Sequence, residues 1–191
     1  MLTERIIGAF TFRKGVYAEV EQDTTFTTTA WVLIIVIGFL NQLGTRVFEN
    51  PIRWLIGSII GTIFVVLGFA VAAYIINWVG RTVFNAEVTF EELVRTLGLA
   101  YVWNIVGVFG ALVAFSPALS CVTAPARFLA WILGLIAWFM AAKEALDLEW
   151  VETIITVVIG WVVMFAITLL AGVVLGLLGF GAAVVGGILG S

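Results

Sequence analysis

The stretch from Trp54 to Trp78, WLIGSIIGTIFVVLGFAVAAYIINW, contains no charged residue and is bracketed by Arg53 and Arg81. As an α-helix rising about 1.5 Å per residue, it is long enough to cross the roughly 30 Å hydrocarbon core of a bilayer, with its end tryptophans at headgroup level. A chain built on such a segment folds in lipid, and its function has to be sought among few polar groups.

The rest of the sequence fits this solvent. Of 191 residues, 63% are hydrophobic and 11% charged, and mean hydropathy is +1.20, whereas soluble domains carry about 25% charged residues. The single cysteine, Cys121, excludes an intramolecular disulfide framework and a cysteine-based metal site. Histidine is absent, which removes the commonest metal ligand, the usual haem ligand and the usual general base. A net charge of −3, spread over loops, offers no basic surface to nucleic acid. No metal, cofactor or nucleic-acid partner is therefore expected. Glu4, Arg5, Arg13, Lys14, Glu19 and Glu21 interrupt the first residues, so no cleavable signal peptide is expected either.

The expected fold is all-α: a polytopic integral membrane bundle of five transmembrane helices behind a short amphipathic N-terminal segment. Residues 1–29 form a cytoplasmic lead-in on the membrane surface, weakened as a helix by Gly8 and Gly15, and residues 30–191 form the membrane domain. Its spans are placed at about 30–48, 54–79, 96–115, 127–142 and 151–179. Pro51 breaks the helix in the hairpin from Thr45 to Arg53. Thr89 and Glu92 have the spacing of a capping box, with Val88 and Leu93 as its hydrophobic staple, so the third helix starts outside the lipid core. Pro117, Cys121 and Pro125 mark 116–126 as an extramembrane loop. The glycine-rich tail GFGAAVVGGILGS has no charge and is expected to stay in the far leaflet or against the bundle.

Gly57 with Gly61, and Gly172 with Gly176, are small-xxx-small pairs that permit close helix approach. Trp31, Trp54, Trp78 and Trp150 lie at span ends as interfacial anchors. Trp103, Trp131, Trp138 and Trp161 lie further in, where packing and lipid contact explain them better than a bound pigment or quinone. Asn41, Asn77 and Asn104 are the polar side chains nearest the apolar runs, and interhelical hydrogen bonds or interfacial positions explain them more simply than a substrate cavity does. Every ionisable residue falls in a loop or within a turn or two of a span end, leaving no carboxylate relay and no catalytic dyad. No catalytic residue is expected, and the chain reads as a non-enzyme.

Orientation follows from lysine and arginine. With the N-terminus inside, Arg5, Arg13, Lys14, Arg81, Arg95 and Lys143 are cytoplasmic, against Arg46, Arg53 and Arg127 on the other side. This excess places the N-terminus in the cytoplasm and the C-terminus outside. Eleven of the twelve acids, all but Glu49, share the cytoplasmic side, which is the better candidate for meeting a soluble partner.

The blocks FRKGVYAEVEQDTTFTTTAW, VTFEELVRTLGLAY and KEALDLEWVETIITVVIGW, on the five-span layout, resemble the Yip family of Ypt-interacting membrane proteins, and in particular its prokaryotic branch. One departure is Val102-Trp103, where the family pattern has a proline after Ala100-Tyr101. The resemblance implies a small non-enzymatic scaffold in a prokaryotic cytoplasmic membrane, organising lipids or recruiting integral membrane partners or further copies of itself. Eukaryotic relatives act with Rab-type GTPases in vesicle traffic; the shortness of this lead-in argues against carrying GTPase binding over. The alternatives are an accessory subunit of a respiratory or photosynthetic complex and a small-solute transporter or channel.

Overall fold

The computed structural model describes residues 1–45 and 50–177. The expectations for Arg46, Glu49 and the glycine-rich tail lie outside the described residues. Within them, all regular structure is helical, and five helices are long and apolar enough to cross a membrane: Phe26–Thr45, Pro51–Val83, Phe90–Ala114, Pro117–Leu146 and Trp150–Leu177. Isoleucines, leucines and valines exposed along these helices, among them Ile59, Ile63, Leu67, Val158 and Val162, suit a lipid surround.

The lead-in forms two helices, α1 (Leu2–Phe10) and α2 (Val16–Gln22), joined through Gly15 in the left-handed region at φ +79°. A Cβ on Gly8 would come within 2.9 Å of both the Arg13 Nε and a Val16 methyl, so α1 and the chain after it fold tightly on each other. The lead-in was expected on the membrane surface, but α2 lies against the bundle, with Val16, Tyr17 and Val20 buried on α5 (Phe90–Ala100) and the end of α6 (Ser120–Leu146). The reason is the early start of α5. Thr89 Oγ1 accepts from Glu92 N at 3.2 Å and Glu92 Oε2 accepts from Thr89 N at 2.7 Å, a capping box worth about 1 kcal/mol. That start sets Leu93, Val94 and Leu97, all fully buried, in the first turns of α5, the helix on which α2 packs.

Helix α3 (Phe26–Thr45) leads into α4 (Pro51–Val83), whose N-cap Asn50 accepts from Ile52 N and Arg53 N ahead of Pro51 in the first turn. After Ala100 the third span tightens to a 3-10 helix, Tyr101–Ala114. The change comes beside Val102-Trp103, where a family proline is expected, although no proline is present here. Three residues per turn bring Tyr101, Asn104, Gly107 and Gly110 into one line, a ridge an α-helix would have rotated apart. Helix α6 begins earlier than expected: 116–126 is not a loop, because Pro117–Leu119 makes a 3-10 turn and Ser120 starts an α-helix that contains Pro125. Near a helix end, neighbouring groups replace the single backbone hydrogen bond that a proline removes. The last helix, α7 (Trp150–Leu177), packs along α4.

Phe69 is the centre of the core. Fully buried, it meets Trp31, Tyr101 and Trp138 edge-on at centroid distances of 5.8, 6.0 and 6.0 Å.

Candidate functional site

Two places bring polar side chains together, one at each end of the bundle. At the lead-in end the organising residue is Arg95, only 5% exposed. Its Nε donates to the Glu21 carbonyl at 2.8 Å, its Nη2 to the same oxygen, and its Nη1 to Thr27 Oγ1 at 3.2 Å. One guanidinium on α5 thus fastens the end of α2 and the start of α3. Around it, Arg5 pairs with Asp23 at 2.6 Å and Arg13 with Glu19 at 2.7 Å. Hydrogen bonds from Thr25 and Arg5 hold the Asp23 carboxyl below its ordinary range. Glu87, Glu91, Glu144, Asp147 and Glu149 are exposed on the same face.

Glu21 is shifted the other way. Partial burial, and then the nearby carboxylates Glu92, Glu144 and Asp147, raise its pKa above the ordinary carboxylate value. The folded chain therefore holds this proton more tightly than the unfolded chain. The cost of the charged form is complete at neutral pH and disappears as pH falls below the unfolded value. Glu21→Gln, which keeps the backbone carbonyl bound by Arg95, is expected to stabilise the protein near neutrality by roughly 0.5 kcal/mol or less after solvent screening. Thermal unfolding in detergent should show this advantage close on acidification to about pH 4; an equal advantage at both pH values would contradict the assignment.

The second place is a cleft of about 640 Å³. It exists because α6 leans on the 3-10 helix and α7 leans on α4, while α6 and α7 touch each other far less. One wall is the α6 stripe Arg127, Ala130, Trp131, Gly134, Leu135 and Trp138; the other is the α7 stripe Trp161, Met164, Thr168, Ala171, Gly172 and Leu175. Both repeat at helical spacing, so each is one helix face. Gly61, Phe64, Val65 and Gly68 of α4 and Tyr101, Trp103, Asn104 and Gly107 of the 3-10 helix form the floor, and Asn41, Gln42 and Thr45 close the end away from the lead-in. The cleft is aromatic near the lead-in and polar at the opposite end.

Arg127 stands at that polar end. It was expected as the first residue of span four, yet it lies about two turns inside α6, because that helix starts at Ser120. Half-buried, its guanidinium sits beside Gly110, level with the Gly44 carbonyl near the end of α3. Among the described residues, neither Arg127 nor Asn41 takes part in a hydrogen bond or ion pair.

The other sequence candidates separate. Asn77 is buried and its Nδ2 donates to the Val88 carbonyl at 3.0 Å, tying the end of α4 to the strand-free turn before α5. Asn104 was expected to bond across helices, but its Nδ2 donates to Tyr101 O at 3.2 Å in its own helix, the partner that 3-10 winding puts in reach. Trp54 Nε1 donates to Leu43 O at 3.1 Å across the α3–α4 turn, whereas Trp78 and Trp150 stand more than half exposed. Trp31 is half-buried and packs on Phe69 and Phe90.

Gly57 and Gly61 are buried in α4, Gly61 on the cleft floor. Among the described residues Gly172 mediates no crossing: a Cβ there would meet nothing within 4 Å, since α7 faces the cleft at that level. Gly176 is half-buried one turn further on. The α4–α7 crossing falls instead at Gly160, where a Cβ would lie 2.6 Å from Ile76 Cγ1 and 3.2 Å from Ala72 O. Gly44, Gly107 and Gly110 make the α3 crossing with the 3-10 helix. The three-residue spacing of Gly107 and Gly110 was the available signal, legible only if the helix is known to be 3-10.

In comparisons with known proteins, the model of the Yip1 domain matches residues 7–173. No curated protein and no solved structure matches.

Proposed function

Because the chain belongs to the Yip1 domain family and is a multi-pass membrane protein, we propose that it is a non-enzymatic scaffold whose lead-in end recruits partners at the membrane surface. The observation that carries this reading is the fastening of the end of α2 and the start of α3 to α5 by Arg95. It turns a charged lead-in into a fixed surface, with Lys14, Glu87, Glu91, Glu144 and Asp147 exposed. A fixed surface loses less conformational entropy on binding a partner than a loose tail does. The lysine and arginine distribution supports a cytoplasmic position for this face, and the sequence blocks that resemble the prokaryotic branch support a prokaryotic cytoplasmic membrane.

Orientation is tested by labelling. Native Cys121, exposed at the far end, should react with an impermeant maleimide in intact cells. Lys14→Cys in a Cys121→Ser background should react only once the membrane is opened; the reverse pattern overturns the orientation. Recruitment is tested by purification in mild detergent with mass spectrometry. A partner retained by the wild type and lost from Arg95→Ala supports the scaffold. A stoichiometric complex indifferent to that substitution makes the chain an accessory subunit, and solute flux in proteoliposomes makes it a transporter or channel.

A further inference from the structure

The geometry points to the cleft between α6 and α7 as a binding site for one acidic phospholipid, its phosphate held by Arg127 and Asn41 and an acyl chain laid along the aromatic wall toward Trp138. The inference is independent of the scaffold reading.

Charge complementarity is the first argument. Arg127 is a cation at the cleft's polar end with no carboxylate within 4 Å among the described residues, and Asn41, whose side-chain oxygen lies against Gly107, lines the cleft without a hydrogen bond among them. Two turns from the start of α6 and level with the end of α3, this arginine is placed to meet an anionic headgroup. A phosphodiester presents the paired oxygens that a guanidinium binds best, and basic pockets between membrane helices are the usual places for acidic headgroups.

Dimension is the second. Arg127 and Trp138 mark the two ends of the α6 wall, roughly 16 Å apart at about 1.5 Å per residue. That is close to the roughly 15 Å depth of one leaflet. A volume of about 640 Å³ lies within the ordinary range of ligand pockets. The level of Arg127 is also the level of the α3–α4 turn, where Trp54 bonds Leu43, so the phosphate would sit at headgroup height in the leaflet opposite the lead-in. A free anion would use the polar end alone and leave the aromatic wall without a role.

The test is thermal unfolding of the purified full-length protein with added phosphatidylglycerol, phosphatidylcholine or inorganic phosphate, alongside native mass spectrometry for retained lipid. Phosphatidylglycerol is expected to raise Tm and to remain bound, with an apparent affinity about tenfold above that of phosphatidylcholine, as one charge-assisted hydrogen-bond pair provides. Arg127→Gln should erase this preference, and Arg127→Lys should keep part of it. Gly172→Leu fills the cleft from a position with open space around it, so it should expel the lipid while Arg127 stays in place. If Arg127→Gln fails to fold, this second variant decides. Equal shifts with both lipids, or a preference surviving both Arg127→Gln and Gly172→Leu, would overturn the site. A shift with inorganic phosphate as large as with phosphatidylglycerol would overturn the lipid in favour of a free anion.

Discussion

Arg95→Ala is expected to lower stability by about 3 kcal/mol and to release the lead-in from the bundle. Arg95 donates three hydrogen bonds from a position 5% exposed, two of them to one backbone carbonyl on α2. Removing the side chain leaves the Glu21 carbonyl and the Thr27 hydroxyl without this donor. Among the described residues the nearest carboxylate is Glu92, at 4.0 Å and already engaged in capping Thr89, so the grip is on backbone and hydroxyl oxygens more than on a counter-charge. Arg95→Lys keeps the charge but loses the planar fork that reaches Glu21 and Thr27 together, and should fall between wild type and alanine. The expected result is a lower Tm in detergent together with faster trypsin cleavage at Arg13 and Lys14. A cleavage rate unchanged in Arg95→Ala would show that other contacts hold the lead-in.

Gly44→Ala is expected to cost about 2–3 kcal/mol, or the fold itself. A Cβ on Gly44 would run into the Gly107 carbonyl, and 2.8 Å from it would lie Val108 Cα. These are backbone atoms of a neighbouring helix, so no rotamer change makes room and the two helices must part along their crossing. At Gly107 the atom met is the Asn41 side-chain oxygen, which can turn away, so Gly107→Ala should cost less. Gly172→Ala is the control: with nothing within 4 Å it should change stability by no more than about 0.5 kcal/mol. Thermal unfolding of the three variants in one detergent checks the order, and a Gly172→Ala as damaging as Gly44→Ala would refute this map of helix crossings.

What could be read from the sequence was what depends on neighbours along the chain. Spans show in runs of apolar residues because the bilayer demands length and apolarity, and the start of α5 shows in Thr89 and Glu92 because a capping box closes within four residues. The capping box closes at Thr89 and Glu92 as its spacing predicted, and five helices long and apolar enough to span are present, although the fourth starts earlier than expected. The burial of α2 was out of reach, since Val16, Tyr17 and Val20 suit a lipid surface as well as a protein one. The 3-10 winding after Ala100 was also out of reach, and with it the ridge from Tyr101 to Gly110 and the bond of Asn104 to Tyr101.

Five membrane helices, a non-globular solvent and a charged lead-in end are thus written in the sequence itself, because hydropathy and capping are local properties. Which glycines carry the crossings, what Arg95 grips and how deep Arg127 stands were decided only by tertiary structure. The physical reason is the solvent: lipid and a neighbouring helix are equally apolar, so α4 and α7 carry no marked polar stripe to say which side faces the protein. Their rotation is set by packing alone, and every contact that depends on rotation becomes visible only once the helices are assembled.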